Sequence, residues 1–393
     1  MAASRARLAA GFFWYFAAVG VFVPYWPVYL DARGLDALAI GFLMSVFAAM
    51  RVVGAPLYAH WADASGRPLS LLRFGAAACL ACALAFPWLG PLPALALALA
   101  LYSALWNGIV SVYDAHVLDR LGAESGRYGA LRLWGSVGFI ATSIAGGVAL
   151  AGERVGLLPY LLAALIGCTW LSFGGQGGGA APAPRREAPP LGPLLRDRRV
   201  IVFLLVSFLM LASHGAYYGF LSLYLAEHGH SSFAIGALWA WAVAAEILVF
   251  LCGRWLLERF SLHALVVAAV AATALRWLLI ATFPGNLALV ALAQAGHMAS
   301  FGLFHLCSVN VARRLFPAGA AARAQALHGS VGFGLGGMVG AVAAGWIWEA
   351  VSPQAAFYAS AAVAALATLL AAAGLGGLPP ERDGYPDFGK SRV

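Results

Sequence analysis

The chain has 393 residues, of which 62% are apolar and only 10% are charged, and its formal net charge is +8. A soluble globular domain carries about 25% charged residues. This composition excludes an ordinary soluble domain and indicates a membrane protein. A positive net charge also occurs in proteins that bind nucleic acid, but here the basic residues lie between apolar segments rather than in one patch.

Nearly uncharged windows of about 20 residues recur along the chain, each long enough to cross a hydrocarbon core of about 30 Å. They predict an all-α membrane protein with twelve transmembrane helices in two bundles. The first window has no clear small-residue cleavage site, so we interpret it as a retained helix and not as a signal peptide. The windows lie near residues 8–30, 38–59, 69–89, 92–118, 129–151, 156–174, 199–226, 233–257, 262–283, 285–312, 324–349 and 353–376.

The basic residues fall mostly on one side of these windows. Of the 24 lysines and arginines, we assign Arg51, Arg132 and Arg276 to helix interiors; the other 21 lie between the windows or within a few residues of their ends. With a cytoplasmic N-terminus, 19 of these 21 lie on the cytoplasmic side. Only Arg33 and Arg154 lie on the opposite side. This is the positive-inside pattern, which predicts that both termini are cytoplasmic. It accounts for the net charge without nucleic-acid binding.

The second half of the chain repeats the first. A-I-G-F-L at 39–43 aligns with A-I-G-A-L at 234–238 at an offset of 195 residues, and G-S-V-G-F occurs at 135–139 and again at 329–333. A parallel repeat of membrane helices predicts two six-helix bundles around one cavity. We expect an N-terminal bundle at 1–174, a cytoplasmic linker at 175–198, a C-terminal bundle at 199–376 and a cytoplasmic tail at 377–393.

Several predicted helices carry charges within their apolar length. A charge at the centre of a membrane helix costs about 2.5–3.5 kcal/mol on insertion scales, so it usually faces a partner or a wet cavity. Asp114 and Arg132 lie on adjacent helices joined by a tight turn, so they can face each other. Arg51 and Glu246 occupy equivalent positions of the two halves. They either meet across the cavity or pair within their own half.

Polar and aromatic side chains extend this predicted cavity wall. Asn107 shares one face of the fourth helix with Ser103 and Asp114, because the steps between them match helical spacing. Phe22 lies midway along the first helix, and Tyr217 lies on the seventh. A mid-helix aromatic residue can also simply pack, but a tyrosine hydroxyl needs a partner away from the interface, which favours the cavity.

The tenth helix combines two histidines with aromatic residues. His297, Phe301 and His305 share one face, and Arg276 lies on the ninth helix. One buried histidine would be a packing residue, but two on one face beside phenylalanine favour a cavity. The histidines do not have a metal-ligand spacing such as H-x-x-x-H, so the sequence predicts neither a metal site nor a cofactor.

Two further motifs have a structural interpretation. The turn after the second helix contains Asp63, Gly66 and Arg67 in A-D-A-S-G-R, which we interpret as a gating motif. Glycines at 332, 336 and 340 have the four-residue spacing that lets another helix approach closely.

Together these residues resemble one family. Y-G-A-L-R-L-W-G-S-V-G-F at 128–139, A-A-E at 244–246, L-R-W at 275–277, F-H-L at 304–306 and H-G-A-Y-Y-G-F at 214–220 resemble the 3-phenylpropionic acid transporters of the major facilitator superfamily. The turn with Asp63 resembles the cytoplasmic loop motif of that superfamily. The resemblance extends from the first helix to the twelfth. It implies a proton-driven importer of an aromatic acid in the bacterial inner (cytoplasmic) membrane.

The resemblance also implies roles for single residues. Lactose-type relatives bind substrate with an acid on helix 4, an arginine on helix 5 and an acid on helix 8, which correspond to Asp114, Arg132 and Glu246. Their proton site uses an arginine on helix 9, matched by Arg276, and a histidine and a glutamate on helix 10. This chain has a histidine on helix 10 but no carboxylate there, so the resemblance does not assign the proton carrier.

A carboxylate substrate needs a cation, and the planar guanidinium of Arg132 or Arg51 matches it. The aromatic ring of the substrate would lie among Phe22, Tyr217 and Phe301. A carboxyl group moved from water into an apolar surrounding holds a proton more tightly. A desolvated carboxyl group therefore suits a proton carrier. As the carrier we predict Glu246 first and Asp114 second, with His297 or His305 as partner.

Other functions stay open. A neutral sugar or nucleoside substrate, or drug efflux, would use much the same aromatic residues. A membrane-embedded enzyme would need a nucleophile with a base or a metal cluster, and a transport-dead sensor would need an output domain; the sequence favours neither. We therefore expect a non-enzymatic, monomeric transporter whose partners are a small-molecule substrate, protons and the lipid bilayer.

Overall fold

A computed structural model describes residues 2–176, 192, 194–317 and 320–379. These residues form helices and turns, with no β-strand among them. Twelve of the described helices are long and apolar enough to cross a membrane, which confirms the predicted all-α class. They are α1 (Arg5–Ala32), α2 (Ala37–Ser65), α3 (Pro68–Trp88), α4 (Leu92–Leu121), α5 (Glu124–Ala149), α6 (Gly152–Ser172), α7 (Arg198–Glu227), α8 (Ser232–Arg259), α9 (Leu262–Thr282), α10 (Leu287–Leu315), α11 (Arg323–Ala350) and α12 (Pro353–Gly374).

Several helices begin at a polar capping residue. Asp36 accepts a hydrogen bond from the backbone N–H of Ala39 at 2.8 Å, and Ser261 accepts one from Ala264 at 3.2 Å. Such caps satisfy backbone donors that the first helical turn leaves without a partner. They explain why α2 and α9 begin close to the starts of the predicted windows.

The chain divides into two compact units. The first comprises Met1–Ala183 and Tyr218–Ala240, and the second comprises Pro184–Tyr217 and Trp241–Val393. In the first unit α1 packs against α5 and α6, and α2 packs against α4. In the second unit α7 packs against α11 and α12, and α9 packs against α10 and α12.

Glycines bring helix backbones together in the first unit. A Cβ atom added to Gly138 on α5 would overlap the carbonyl oxygen of Phe13 on α1. A Cβ atom added to Gly20 on α1 would lie 2.9 Å from the Cα atom of Phe139. Both are closer than real Cβ contacts, so the α1–α5 packing depends on glycine at these positions.

The second unit repeats this arrangement between α7 and α11. A Cβ atom on Gly336 would lie 2.5 Å from the carbonyl oxygen of Phe208, and one on Gly340 would overlap the carbonyl of Ala212. This confirms the predicted close helix packing at Gly336 and Gly340, whereas a Cβ atom on Gly332 would make an ordinary contact of 3.4 Å with the carbonyl oxygen of Ser207. Helices α1 and α5 correspond to α7 and α11 in the internal repeat, so the repeat predicted from sequence recurs in the packing.

Three helices depart from the regular geometry that hydropathy predicts. Helix α7 is interrupted at Ser213 and His214, where the Ser213 hydroxyl and His214 Nδ1 both hydrogen-bond the carbonyl of Met210, at 2.7 and 2.8 Å. These side chains occupy an acceptor that the helical backbone would otherwise use. Helices α10 and α11 contain π-helical turns at Met298–Leu303 and Ser330–Gly336. Turns of this kind are rare in proteins, and those that occur are often located at functional sites.

Parts of the predicted linker and tail lie outside the described residues. These are 177–191 and 193 of the linker, and 380–393 of the tail. The bundle boundaries at 174 and 199 and the cytoplasmic position of both termini stay predictions.

Candidate functional site

The second unit contains an arginine that is almost completely buried. Arg276 on α9 is 2% exposed. Its Nε donates to the carbonyl of Ala293 at 2.9 Å, and Nη2 donates to Oε1 of Gln294 at 2.7 Å. Nη1 donates to Oγ of Ser300 at 3.0 Å and lies 3.2 Å from Nδ1 of His297. A buried charge is tolerated when its donors are hydrogen-bonded in this way.

Aromatic faces enclose the same guanidinium. Its Cζ atom lies 4.2 Å from the ring centroid of Tyr217 and 4.5 Å from that of Trp277. Desolvated contacts of this kind are worth about 2 kcal/mol or more. Arg276 is therefore held on both its polar edge and its flat face, which fixes the position of the groups that it contacts.

The contact with Arg276 assigns the tautomer of His297. A guanidinium has only donors, so Nδ1 of His297 must accept and its proton must lie on Nε2. That nitrogen lies 3.7 Å from Oε2 of Glu246 on α8. A second proton on His297 would remove the acceptor for Arg276 and place two cations side by side. Arg276, His297 and Glu246 thus form one ordered array, called the triad below.

Small residues and rings give the triad its shape. A Cβ atom on Gly302 would lie 3.0 Å from Cγ of Glu246, a tight contact that would require the glutamate side chain to shift by a few tenths of an ångström. The His297 ring lies 5.8 Å from the Tyr217 ring and is stacked on Phe301 at 5.2 Å. Of the sequence-predicted proton residues, the structure thus brings Glu246, Arg276 and His297 together. His305 is exposed, and its ring is stacked on Phe301 with the two ring centroids 6.4 Å apart.

In the first unit, Arg51 is hydrogen-bonded to a polar pair on α4. Its Nε donates to Oδ1 of Asn107 at 3.0 Å, and Nδ2 of Asn107 donates to the carbonyl and hydroxyl oxygens of Ser103 at 2.8 and 2.9 Å. The sequence left open whether Arg51 and Glu246 meet or bond within their own halves. Within its own unit, Arg51 bonds Asn107, and Glu246 lies beside His297.

Asp114 and Arg132 lie near each other but are joined through a tyrosine. The hydroxyl of Tyr128 donates to Oδ1 of Asp114 at 2.8 Å and also lies beside Arg132. Arg132 and Asp114 attract each other electrostatically. The Arg132 Cζ atom lies 3.9 Å from the ring centroid of Phe16. In the predicted acid–base hairpin, Asp114 therefore accepts a hydrogen bond from Tyr128, and Arg132 lies over the ring of Phe16.

The two units contain matching aromatic stacks at the repeat offset of 195 residues. Tyr102 lies 5.4 Å from Phe22 and 5.8 Å from Trp106, at interplanar angles of 30° and 12°. The equivalent His297 has the corresponding Tyr217 and Phe301 contacts at 30° and 14°. The central position of this stack is thus the tyrosine Tyr102 in the first unit and the histidine His297 in the second.

The residues of the gating motif lie at the α2–α3 turn. Gly66 ends α2 with φ +61°, a conformation that favours glycine, and exposed Arg67 immediately precedes α3. Asp63 is exposed one turn earlier. The turn geometry explains the glycine, and the gating role stays a prediction.

Sequence reasoning did not identify Gln294, Ser300 and Tyr128. Gln294 and Ser300 flank His297 at three-residue steps, which places all three on one helical face. Tyr128 precedes Arg132 by four residues and shares its face. Helical spacing around each buried charge could have found these residues.

The sequence profile of the MFS_1 like family matches residues 5–359. The chain belongs to this family. It is therefore a transporter of the major facilitator superfamily and a multi-pass membrane protein, as its twelve apolar helices indicate. Its transport function implies a small-molecule substrate.

Named relatives cover most of the chain. It is 29% identical over 355 residues to the "Probable 3-phenylpropionic acid transporter" of Escherichia coli (strain K12), covering 87% of this chain and 90% of that protein. It is 28% identical over 347 residues to the maltose permease of Geobacillus stearothermophilus, covering 86% of each.

Solved structures show the same fold. The nucleoside transporter NupG matches with a TM-score of 0.82 at 17% identity, covering 95% of this chain and 99% of NupG. The POT family transporter PepTSo matches with a TM-score of 0.75 at 10% identity, covering 94% and 97%. Both are transporters by name, and at these identities they support the fold alone.

Proposed function

We propose that the protein is a proton symporter that imports a small aromatic carboxylate by alternating access. The observation that carries this proposal is the triad, in which Glu246 lies beside the buried Arg276 and His297. The comparison with the 3-phenylpropionic acid transporter supports the substrate class. We further propose a monomer in the bacterial inner membrane with both termini in the cytoplasm, as the positive-inside pattern indicates.

Glu246 is the proton carrier in this proposal. The sequence has no carboxylate on helix 10, and Glu246 on α8 lies beside the helix 10 histidine. His297 acts as the neutral partner because Arg276 occupies its Nδ1. Protonation of Glu246 removes its negative charge, which weakens its attraction to the groups around it. Such a change lets a carrier respond to its proton load as it alternates between two sides.

The substrate carboxylate binds an arginine of the first unit in this proposal. Arg132 and Arg51 are the two candidates. The Nε atom of Arg51 donates to Oδ1 of Asn107, which orients its guanidinium, so we favour Arg51 for the carboxylate. Phe22, Tyr217 and Phe301 remain our candidates for contact with the aromatic ring.

A second candidate is symport of a neutral sugar or nucleoside. The 28% identity to maltose permease nearly equals the identity to the aromatic-acid transporter. Retention of transport after Arg51→Gln and Arg132→Gln would favour this alternative, because a neutral substrate needs no cation.

The test uses proteoliposomes with an alkaline interior and radiolabelled 3-phenylpropionate, maltose or uridine. Protein-free liposomes measure the passive accumulation of the weak acid. We expect Glu246→Gln to lose proton-driven accumulation above this background but to retain exchange of preloaded substrate. Glu258→Gln is the matched control, because Glu258 lies on the same helix and forms an exposed pair with Arg254. Accumulation by Glu246→Gln at the wild-type level would overturn the assignment.

A further inference from the structure

A chain of three hydrogen bonds links the side chain of Arg51 to the backbone of its own helix through α4. The Ser103 hydroxyl lies 2.7 Å from the carbonyl of Phe47. A carbonyl oxygen only accepts, so this hydroxyl must donate to it. The Ser103 oxygen is then an acceptor for Nδ2 of Asn107 at 2.9 Å. Nδ2 also donates to the Ser103 carbonyl at 2.8 Å, so both of its hydrogens are used.

These bonds leave only one orientation for the Asn107 amide. Its nitrogen must face Ser103, because an amide oxygen cannot donate to the Ser103 carbonyl. Its oxygen Oδ1 must then face Arg51, where it accepts from Nε at 3.0 Å. The direction of every bond from Phe47 to Arg51 is therefore determined by chemistry.

The position of Asn107 determines how Arg51 can meet a carboxylate. A guanidinium binds a carboxylate with two parallel bonds, either side-on through Nε or end-on through its two Nη atoms. Asn107 occupies Nε, so a bidentate pair between Arg51 and a carboxylate would have to form end-on and not side-on. Holding the long arginine side chain in one orientation also reduces the rotamer entropy lost when the substrate binds.

The burial of Ser103 indicates that it positions Arg51 and does not bind the substrate directly. Ser103 is fully buried and bonds Phe47 and Asn107, so it does not contact a substrate. We propose that Ser103 and Asn107 are positioning residues that present Arg51 end-on to the carboxylate of the substrate. This inference rests on the proposed function, in which Arg51 is the carboxylate ligand. It assigns Asn107 to a role through Arg51 and adds Ser103 to the site.

The test measures substrate counterflow by Ser103→Ala, Asn107→Asp and Arg51→Gln in proteoliposomes. The probes are 3-phenylpropionate and its neutral amide, 3-phenylpropionamide, as competitor. We expect Ser103→Ala to raise KM for the acid about five- to tenfold, equivalent to about 1–1.4 kcal/mol, with little change in Vmax. The preference for acid over amide should fall by the same factor. Ser103→Thr, which keeps the hydroxyl, should restore it.

Asn107→Asp tests the chain independently of Ser103. A carboxylate there still accepts from Arg51 but neutralises its charge, so the acid preference should fall more than in Ser103→Ala. Ser45→Ala is the control, because the buried Ser45 hydroxyl donates to the carbonyl of Phe42 on the same helix. It should change KM less than twofold.

The outcomes separate this inference from the proposed function. If Arg51→Gln leaves the acid preference unchanged, Arg51 is not the carboxylate ligand and both assignments fail. If Arg51→Gln abolishes the preference but Ser103→Ala and Asn107→Asp keep wild-type KM values, the positioning role is overturned and the proposed function stands.

Discussion

Replacing Arg276 with lysine tests whether the triad is held by the arginine geometry or only by its charge. Lysine keeps the positive charge, but one ammonium cannot reach Ala293, Gln294, His297 and Ser300 together. Side-chain hydrogen bonds between membrane helices average about 0.6 kcal/mol each, and a buried partner left without a bond costs about 1–3 kcal/mol. With four bonds affected, we expect Arg276→Lys to lower the unfolding free energy by about 2–4 kcal/mol.

Equilibrium unfolding by SDS in mixed micelles measures this free energy directly. Arg254→Lys is the control, because Arg254 is exposed and forms an ion pair with Glu258 one turn away. Exposed pairs of this kind contribute about 0.3–0.5 kcal/mol. The reasoning is refuted if Arg276→Lys unfolds within about 0.5 kcal/mol of the wild type, a difference expected only for a surface substitution.

Two further predictions concern packing and the acid on α4. Gly340→Val should strongly reduce the yield of folded protein on size-exclusion chromatography, because the added side chain overlaps the carbonyl of Ala212, whereas Gly329→Ala has open space and should behave like wild type. Equal yields would contradict the close α7–α11 packing. Tyr128→Phe removes the hydrogen bond to Asp114 and should lower the SDS unfolding free energy by about 1–2 kcal/mol; an unchanged value would show that this bond contributes little.

The fold was largely predictable because a bilayer imposes a simple pattern. Twelve windows of sufficient length and hydropathy correspond to α1 through α12, and the offset of 195 residues identified equivalent positions. Hydropathy could not predict the break in α7 at Ser213, because it arises from side chains that compete for one backbone carbonyl. Hydropathy also could not predict the π-helical turns of α10 and α11, because it does not describe local backbone geometry.

The candidate site was predictable in part. Charges within the apolar length of a membrane helix, such as Arg276 and Glu246, are costly, so their presence alone marks them as candidates. Their partners depend on rotamers and on which helices pack, and these are properties of the folded chain. The sequence predicted that Asp114 can face Arg132, but it did not identify the Tyr128 hydroxyl that donates to Asp114 in the folded chain. Whether these groups bind substrate or protons stays a prediction for experiment.

Substrate-driven proton movement in proteoliposomes is the measurement that tests proton coupling most directly. A pH-sensitive dye inside the vesicles reports proton entry when external 3-phenylpropionate is added, and protein-free vesicles correct for the passive entry of the acid. The account predicts acidification above that background in wild type and none in Glu246→Gln. Wild-type uptake of labelled substrate without acidification above background, or equal acidification by Glu246→Gln, would contradict it.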